Sequence, residues 1–212
     1  MSARTPLTRD RIAQAALTLV DEVGIEAFSM RALGKQLGVD PMAIYHHLPN
    51  KDAVFDAIVE RLWQGAAQKT PQPGKDWQRH LHTLFRQVRS HLLTHPRAAL
   101  LMGTRPATTP ALLALIEQTL RSLQATELPP HEAMPLLDCL MAFTVGKVLG
   151  EISQHQHQAK VTQALQTITP DSHPHLLQAL AAGYAFEPDA QFERGLRALI
   201  EGWQRAVISP PR

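Results

Sequence analysis

Apolar residues recur every three or four positions through most of the 212-residue chain, which is the spacing of amphipathic helices. The first such stripe runs from Thr8 to Val23, and Gly24 follows it as a predicted helix end. The alternating runs that are typical of β-strands are almost absent. The pattern therefore predicts an all-α protein whose helices are separated by proline, glycine and capping residues.

The N-terminal part of the chain predicts three short helices. Ser29 is the predicted cap of a second helix over residues 30–37, and Gly38 is expected to end that helix in a left-handed turn. Asp40 followed by Pro41 then marks the start of a third helix, because proline is favoured at the first helical position. Two helices joined by so short a turn have the spacing of a helix-turn-helix.

The remainder of the chain predicts a linking helix and a larger helical region. Asn50 is the expected cap of a fourth helix that runs to about Gln68, and residues 69–75 form a proline- and glycine-containing loop. The chain is thus divided into a helix-turn-helix unit over 1–51, a linking helix over about 51–68 and a larger domain over 69–212. Further helices are predicted over 77–95, 110–126, 132–158, 175–184 and 188–206, and an irregular segment over 162–174.

The outward face of the predicted third helix carries small, apolar and aromatic residues that suit a DNA groove. Ala43 allows close approach of the backbone, whereas Met42 and Tyr45 offer apolar and hydroxyl contacts to base edges. Nearby cationic residues and the capped start of the fourth helix suit phosphates. The predicted contacts to double-stranded DNA are Pro41, Met42, Ala43, Tyr45, His46, His47, Lys51 and Arg31.

The composition excludes some classes of function but does not identify a single one. A formal net charge of +2 does not by itself predict a nucleic-acid partner. The single cysteine, Cys139, excludes an internal disulfide and is interpreted as a small core residue in a reducing compartment. The N-terminus lacks the apolar segment of a signal peptide, and no apolar run has the length of a membrane span. A cytoplasmic protein without a membrane partner is expected.

Two further clusters have alternative interpretations. His91 and His95 have metal-ligand spacing, but no third ligand lies nearby in the sequence, so a solvated helix end is favoured. Five arginines and no acidic residue lie between Trp77 and Ile116, which indicates either an anionic effector or a solvated helix face. A helical enzyme or metal-binding protein with an incidental helix-turn-helix is therefore the alternative to a DNA-binding protein. No catalytic motif, metal site or cofactor site is predicted.

One long segment, VDEVGIEAFSMRALGKQLGVDPMAIYHHLPNKDAVFDAI, resembles the DNA-binding domain of the TetR family of transcriptional repressors. The segments LMGTRPATTP, FTVGKVLGE, SHPHLLQAL and FERGLRALIEG resemble the C-terminal domain of the tetracycline repressors in that family. The resemblance implies a homodimer that binds a palindromic operator and is released by a small-molecule effector. It also implies base contacts by Pro41, Met42, Tyr45 and Arg31, and phosphate-side positions at Ser29, Met30, Ala43, His46, His47 and Lys51. The helices over 132–158 and 188–206 are the expected dimer interface, because Gly146 and Gly150 allow close helix approach, and core packing within one subunit is the alternative.

The resemblance fails at the positions that hold a drug–magnesium chelate in the tetracycline repressors. These positions are Ala67, Leu84, Leu101 and Gly150 here, and none of these side chains offers the oxygen ligands that Mg²⁺ requires. A more hydrophobic effector than magnesium–tetracycline is therefore expected, with Glu117 as a partner for a cationic or hydrogen-bond-donating group. Simple core packing is the alternative role for the candidate effector-binding residues, which are Ala67, Leu84, Val88, Leu101, Thr104, Arg105, Glu117, Met134 and Met141.

Overall fold

The computed structural model describes residues 6–68, 76–105, 108–124 and 126–208. Over these ranges the chain is helical and contains no strand, so the all-α prediction is confirmed. The predicted loop over 69–75 lies outside the described residues. The helices are α1 (Arg9–Ala27), α2 (Met30–Leu37), α3 (Pro41–Tyr45), α4 (Lys51–Gln68), α5 (Trp77–Leu93), α6 (Pro96–Ala99), α7 (Pro110–Leu123), α8 (Pro130–Gln156), α9 (Gln158–Gln166), α10 (Pro174–Ala181) and α11 (Pro188–Ile208), with a 3₁₀ turn over Leu100–Gly103.

The predicted capping residues at the starts of α2, α3 and α4 are confirmed. The Ser29 hydroxyl accepts from the Ala32 N–H at 3.2 Å, which satisfies a donor that the helix itself leaves free. Asp40 Oδ1 accepts a bond of 2.8 Å from Met42, the second residue of α3. Asn50 caps α4 in the same way, at 2.8 Å from the Ala53 N–H. Short polar residues therefore fix the start of each of these helices.

Several predicted boundaries are corrected by the structure. Gly24 interrupts the helical backbone of α1 as predicted, with φ of 84° and ψ of 168°, but a further helical segment continues beyond it to Ala27. The region over 162–174, predicted to be irregular, begins inside α9. Its glutamines and alanines are good helix formers, but α9 has no buried residue, so it lacks the apolar stripe that identifies a helix from sequence.

Gly38 adopts the left-handed conformation that the turn between α2 and α3 requires. Its φ is 68° and ψ is 34°, and no other group lies within 4 Å of a Cβ built at this position. Backbone strain is therefore the main cost of a side chain here, about 1–2 kcal/mol for alanine. We expect Gly38→Ala to lower the free energy of unfolding by that amount in urea titrations.

Gly38→Asn is the matched control for this prediction, because asparagine tolerates the left-handed region better than alanine does. Its stability should lie between those of the wild type and Gly38→Ala. Equal stability of the alanine variant and the wild type would contradict the assignment of strain to this turn.

Helix α4, the predicted linking helix, is packed against several other helices. It packs against α1 on one side and against α5 and α7 on the other. Phe55, Leu62 and Trp63 are buried on it and belong to one core that continues from the helix-turn-helix unit into the larger domain. Helix α4 therefore contacts both the helix-turn-helix unit and the larger domain.

Helix α8 packs against α5 and α11 and leaves one face uncovered. Cys139, Ala142, Gly146 and Gly150 are exposed on it, so the prediction that Cys139 is a core residue is wrong. By length and composition α8 is able to cross a membrane, which corrects the sequence analysis, although core helices of soluble proteins meet the same criteria. The window that meets them is 33% buried, so most of its residues are not enclosed within the single subunit.

Candidate nucleic-acid interface and effector cavity

The angle between α2 and α3 is fixed by buried contacts. Leu33 on α2 and Ile44 on α3 are fully buried, and Val39 in the turn packs partly buried against the same core. Gly34 allows the close approach of the two elements, since a Cβ there would lie 3.0 Å from both Pro41 Cγ and the Val39 carbonyl oxygen. Helix α3 has only five residues, so this packing determines its orientation.

The predicted DNA-binding residues of the helix-turn-helix unit are exposed or half-buried, and none of them is fully buried. Met42 is 64% exposed and Tyr45 is 38% exposed, although both are large and apolar enough to be buried in a core. Exposed side chains of this kind on a rigid helix are typical of a recognition surface. Ser29, Arg31, His46 and His47 are exposed, and Met30, Pro41 and Ala43 are half-buried.

The Lys51 side chain has an internal role that the sequence did not reveal. Its Nζ donates to the Phe28 carbonyl oxygen at 3.0 Å and lies over the rings of Phe28 and Phe55, at 5.5 and 5.2 Å from their centroids. The ammonium group thereby joins the start of α4 to the segment between α1 and α2. Because the Lys51 ammonium group already has these partners, the backbone N–H groups in the first turn of α4 are better suited than Lys51 to bind a phosphate.

A cavity of about 150 Å³ lies between α5, α7 and α8 in the larger domain. Its walls are mostly aliphatic, with one aromatic ring and two thioethers. Four of the predicted effector-binding residues, Leu84, Val88, Met134 and Met141, line it. The other lining residues are Phe85, Leu112, Leu115, Ile116, Thr119, Leu137 and Asp138.

The other five predicted effector-binding residues lie away from this cavity. Ala67 and Leu101 pack in other parts of the core, and the Thr104 hydroxyl bonds to the Leu101 carbonyl oxygen at 3.2 Å. Glu117 is exposed on the outer face of α7, where its Oε1 lies 3.3 Å from Arg121 Nη2. Glu117 is therefore not a wall of the cavity.

Arg105, the last of these five, connects the larger domain to the start of α4. Its guanidinium binds the carboxylates of Asp52 and Asp56, with 3.0 Å between Arg105 Nη1 and Asp56 Oδ1. The hydrogen bond to Asp52 is the largest effect that raises the pKa of Arg105 above its ordinary value. This ion pair holds the segment after the 3₁₀ turn against the first two turns of α4.

The histidine pair takes part in a junction between helices. His95 Nδ1 lies 2.6 Å from Asp21 Oδ2 on α1, and its ring lies edge-on to that of His91, with 5.3 Å between centroids. A Cβ added at Gly65 would lie 2.3 Å from His91 Nε2, so α4 and α5 approach closely there. Within the described residues, no group of three or more His, Cys, Asp and Glu side chains has the arrangement of a metal site.

Four of the five arginines between Trp77 and Ile116 form contacts between helices. The sequence had indicated either an anionic effector or a solvated helix face, and neither interpretation included these contacts. Arg86 binds Glu193 and Arg89 binds Glu151 and Asp189, which join α5 to α8 and α11. The third, Arg97, donates to the main-chain oxygens of Asp21 and Glu22 on α1. The fourth is Arg105, described above. These cations therefore stabilise the arrangement of the helices.

Comparison with protein families matches both parts of the chain. Residues 12–58 match the model described as bacterial regulatory proteins, tetR family, and residues 70–207 match the model of the tetracyclin repressor-like C-terminal domain. Tetracycline repressor protein class C from Escherichia coli is 32% identical over 206 residues, which are 96% of this chain and 93% of that protein.

Solved structures agree with these matches. The structure of ActR from Streptomyces coelicolor in complex with actinorhodin is 26% identical, with a TM-score of 0.81 over 95% of this chain and 99% of that chain. TetR from Acinetobacter baumannii AYE is 28% identical, with a TM-score of 0.71 over 94% and 98% of the two chains. Both proteins are regulators with the same helical architecture as this chain.

Proposed function

The chain belongs to the TetR family of bacterial regulatory proteins, and from this premise we propose that it is a cytoplasmic, ligand-responsive transcriptional repressor. As a homodimer it binds a palindromic operator, and a small, mainly hydrophobic effector other than magnesium–tetracycline releases it. Residues 1–51 form the DNA-binding unit, α4 is the linking helix, and residues 69–212 bind the effector and form the dimer. The alternative of a helical enzyme is not favoured, since the family is one of transcriptional regulators.

The observation that carries this proposal is the exposed surface of α3. Met42 and Tyr45 project from a short helix whose orientation is fixed by the buried residues Leu33 and Ile44. In a two-fold dimer, two such helices about 34 Å apart enter successive major grooves on one side of the DNA. Arg31, His46 and His47 then lie beside the groove, where they are able to contact phosphates or base edges.

The proposed dimer forms through α8 and α11. The uncovered face of α8 carries Ala142, Gly146 and Gly150, and small residues allow a second helix to approach closely. Pairing of α8 and α11 with their symmetry mates gives a four-helix bundle. This bundle covers the apolar surface that the single subunit leaves exposed.

The proposed release mechanism uses the packing of α4. Helices α5 and α7, which form walls of the cavity, also pack against α4. An effector that binds one arrangement of these walls more tightly than the other shifts α4, and with it the separation of the two α3 helices. The contacts of Lys51 and Arg105 make α4 move together with its neighbours at both domains.

Magnesium–tetracycline is expected not to release this protein from DNA. Of the cavity walls only Thr119 and Asp138 bear a side-chain oxygen, whereas Mg²⁺ needs a nearly octahedral shell of oxygen ligands and waters. We expect its effect on affinity for the upstream intergenic DNA to stay below about fivefold, the lower end of ordinary allosteric coupling. Electrophoretic mobility shifts with a panel of hydrophobic compounds measure this effect.

Two outcomes of that measurement would contradict the proposal. Release by magnesium–tetracycline would contradict the proposal that this cavity does not bind the chelate. Absence of salt-dependent binding to duplex DNA would contradict the proposal that the protein is a repressor. A positive control is a tetracycline repressor of known response on its own operator in the same buffer. Release by a mainly hydrophobic compound, and not by magnesium–tetracycline, is the expected result.

A further inference from the structure

We propose that the effector of the cavity between α5, α7 and α8 is a lipophilic cation, and that Asp138 is its counter-ion. A compact apolar or aromatic group fills the cavity, and an amine or quaternary ammonium head lies beside the Asp138 carboxylate. This inference rests on the proposed function, because it names the class of ligand that binds the same effector cavity.

The volume and walls of the cavity define the apolar part of the ligand. A space of about 150 Å³ lined by leucine, isoleucine, valine and phenylalanine is large enough for one benzene-sized ring. Most binding energy in such a site comes from burial of apolar surface, and a few polar groups determine orientation. The polar groups of this cavity therefore decide which ligands it selects.

Asp138 is the only ionisable residue among the lining residues, none of which is lysine, arginine or histidine. The two other acids of α8 already have partners. Glu151 binds Arg89 at 2.8 Å, and Glu132 accepts from the Trp203 indole N–H at 3.0 Å. Within the described part of the chain, Asp138 has neither a hydrogen bond nor an ion pair. An anionic ligand would meet an uncompensated carboxylate, whereas a cation would neutralise it.

The second polar group of the cavity has the same preference as Asp138. The buried Thr119 hydroxyl donates to the Leu115 carbonyl oxygen at 2.7 Å, so its proton is already used and only its lone pairs remain for a ligand. Both polar side chains therefore present acceptors, and neither presents a free donor. A ligand that bears a positive charge or N–H donors fits this set, and a carboxylate or sulfonate does not.

The remaining walls are also compatible with a positive charge. The Phe85 ring is 1% exposed, so it contacts the apolar part of the ligand inside the cavity and leaves the mouth free for the charged head. Met134 and Met141 have flexible, polarisable side chains that adapt to the shape of a ligand head group. Met134 is 48% exposed and Asp138 is exposed beside the same cavity, which indicates that the charged head binds at the mouth.

The test compares three probes of nearly equal size on the full-length protein. Benzyltrimethylammonium is the cation, neopentylbenzene is its neutral carbon isostere, and phenylmethanesulfonate is the anion. Ligand-observed NMR titration at about 0.15 M salt, where exposed charges are partly screened, gives the three affinities. We expect the cation to bind about fivefold more tightly than the neutral probe, which is the upper end of what an ion pair with an exposed carboxylate contributes. The anion should bind more weakly than both.

Asp138→Asn should reduce the preference for the cation to less than about twofold, because the amide keeps the shape of the side chain but loses its charge. Glu117→Gln is the matched control: it makes the same charge change on α7 outside the cavity and should keep the full preference. Leu115→Trp, which fills the cavity, should abolish binding of the cationic and the neutral probe.

Three results would overturn the inference. The first is binding of the neutral probe at least as tight as that of the cation, and the second is an unchanged preference in Asp138→Asn. The third is absence of binding by both probes to the wild type. A loss of dimer in Asp138→Asn with unchanged selectivity would instead assign Asp138 to the subunit interface. Operator binding by the free protein is measured separately, so failure of the cation inference is distinguishable from failure of the repressor proposal.

Discussion

Replacing Tyr45 by alanine is expected to weaken operator binding by about 2–6 kcal/mol, because a side chain that reads a base edge contributes about 1–3 kcal/mol and a symmetric dimer makes the contact twice. This corresponds to a loss of affinity of about 30-fold to more than 10⁴-fold. Tyr45 is exposed on α3, so its removal should leave the free energy of unfolding nearly unchanged. Fluorescence anisotropy with a labelled operator measures the affinity.

Two variants identify the origin of that loss. Tyr45→Phe keeps the ring and removes the hydroxyl, so it separates stacking and apolar contact from hydrogen bonding. The chain has only one other tyrosine, Tyr184, which is 60% exposed between α10 and α11. Tyr184→Ala is therefore a control for the same substitution outside the helix-turn-helix. Equal affinities of Tyr45→Ala and the wild type at several salt concentrations would remove Tyr45 from the DNA interface.

The helix-turn-helix was predictable from sequence because its determinants are local. Ser29, Asp40 and Asn50 each bond to an N–H two or three residues later, so the residue type and the helix start lie within one turn of each other. The positive φ of Gly38 is likewise a property of a single residue. Sequence motifs capture this kind of structure well, since no distant part of the chain is needed to produce it.

The cavity proposed for the effector was only partly predictable, because its walls come from three helices that are separated in sequence. Leu84, Val88, Met134 and Met141 were predicted as effector-binding residues and line this cavity, whereas Glu117 does not. The α7 residues at the cavity are Leu112, Leu115, Ile116 and Thr119. These four residues have the spacing of one helix face, and Glu117 is exposed on another. The helical period of α7 therefore contained a signal that a comparison of single positions missed.

The contacts between the DNA-binding unit and the larger domain could not be predicted from spacing at all. His95 and Asp21 are 74 residues apart in the chain, and Arg105 and Asp56 are 49 residues apart. The sequence alone does not show whether an acidic and a basic side chain bind each other or are hydrated. Only the packing of α1 and α4 against the 95–105 segment shows which charges meet. The proposed release mechanism depends on this packing.

The ion pair of Arg89 gives the second large expected effect, on stability rather than on DNA binding. The Arg89 side chain is 12% exposed and that of Glu151 is 13% exposed, and their charged atoms lie 2.8 Å apart between α5 and α8. Burial opposes the charge of Arg89, but the hydrogen bonds to Asp189 and Glu151 outweigh it, so the pKa of Arg89 is raised. The cation is therefore held in place by its partners, and Glu151 depends on it in return.

Arg89→Met should lower the free energy of unfolding by about 3–5 kcal/mol, because it leaves the Glu151 carboxylate buried without a partner. Asp189 is 87% exposed and returns to water at little cost. The double variant Arg89→Met/Glu151→Leu should recover most of the loss, since apolar side chains of similar volume replace both charges. Urea unfolding at one fixed protein concentration keeps the contribution of dimerisation constant.

Arg86→Met is the matched control on the same helix, because the Arg86 side chain is 60% exposed although it also binds an acid of α11. An exposed ion pair is worth about 0–1 kcal/mol, so this variant should remain close to the wild type. Equal losses for Arg86→Met and Arg89→Met would show that burial does not distinguish the two pairs. A double variant no more stable than Arg89→Met alone would mean that the guanidinium stabilises the protein mainly by packing against Phe192 on α11 rather than by neutralising Glu151. The Phe192 ring centroid lies 4.9 Å from Arg89 Cζ.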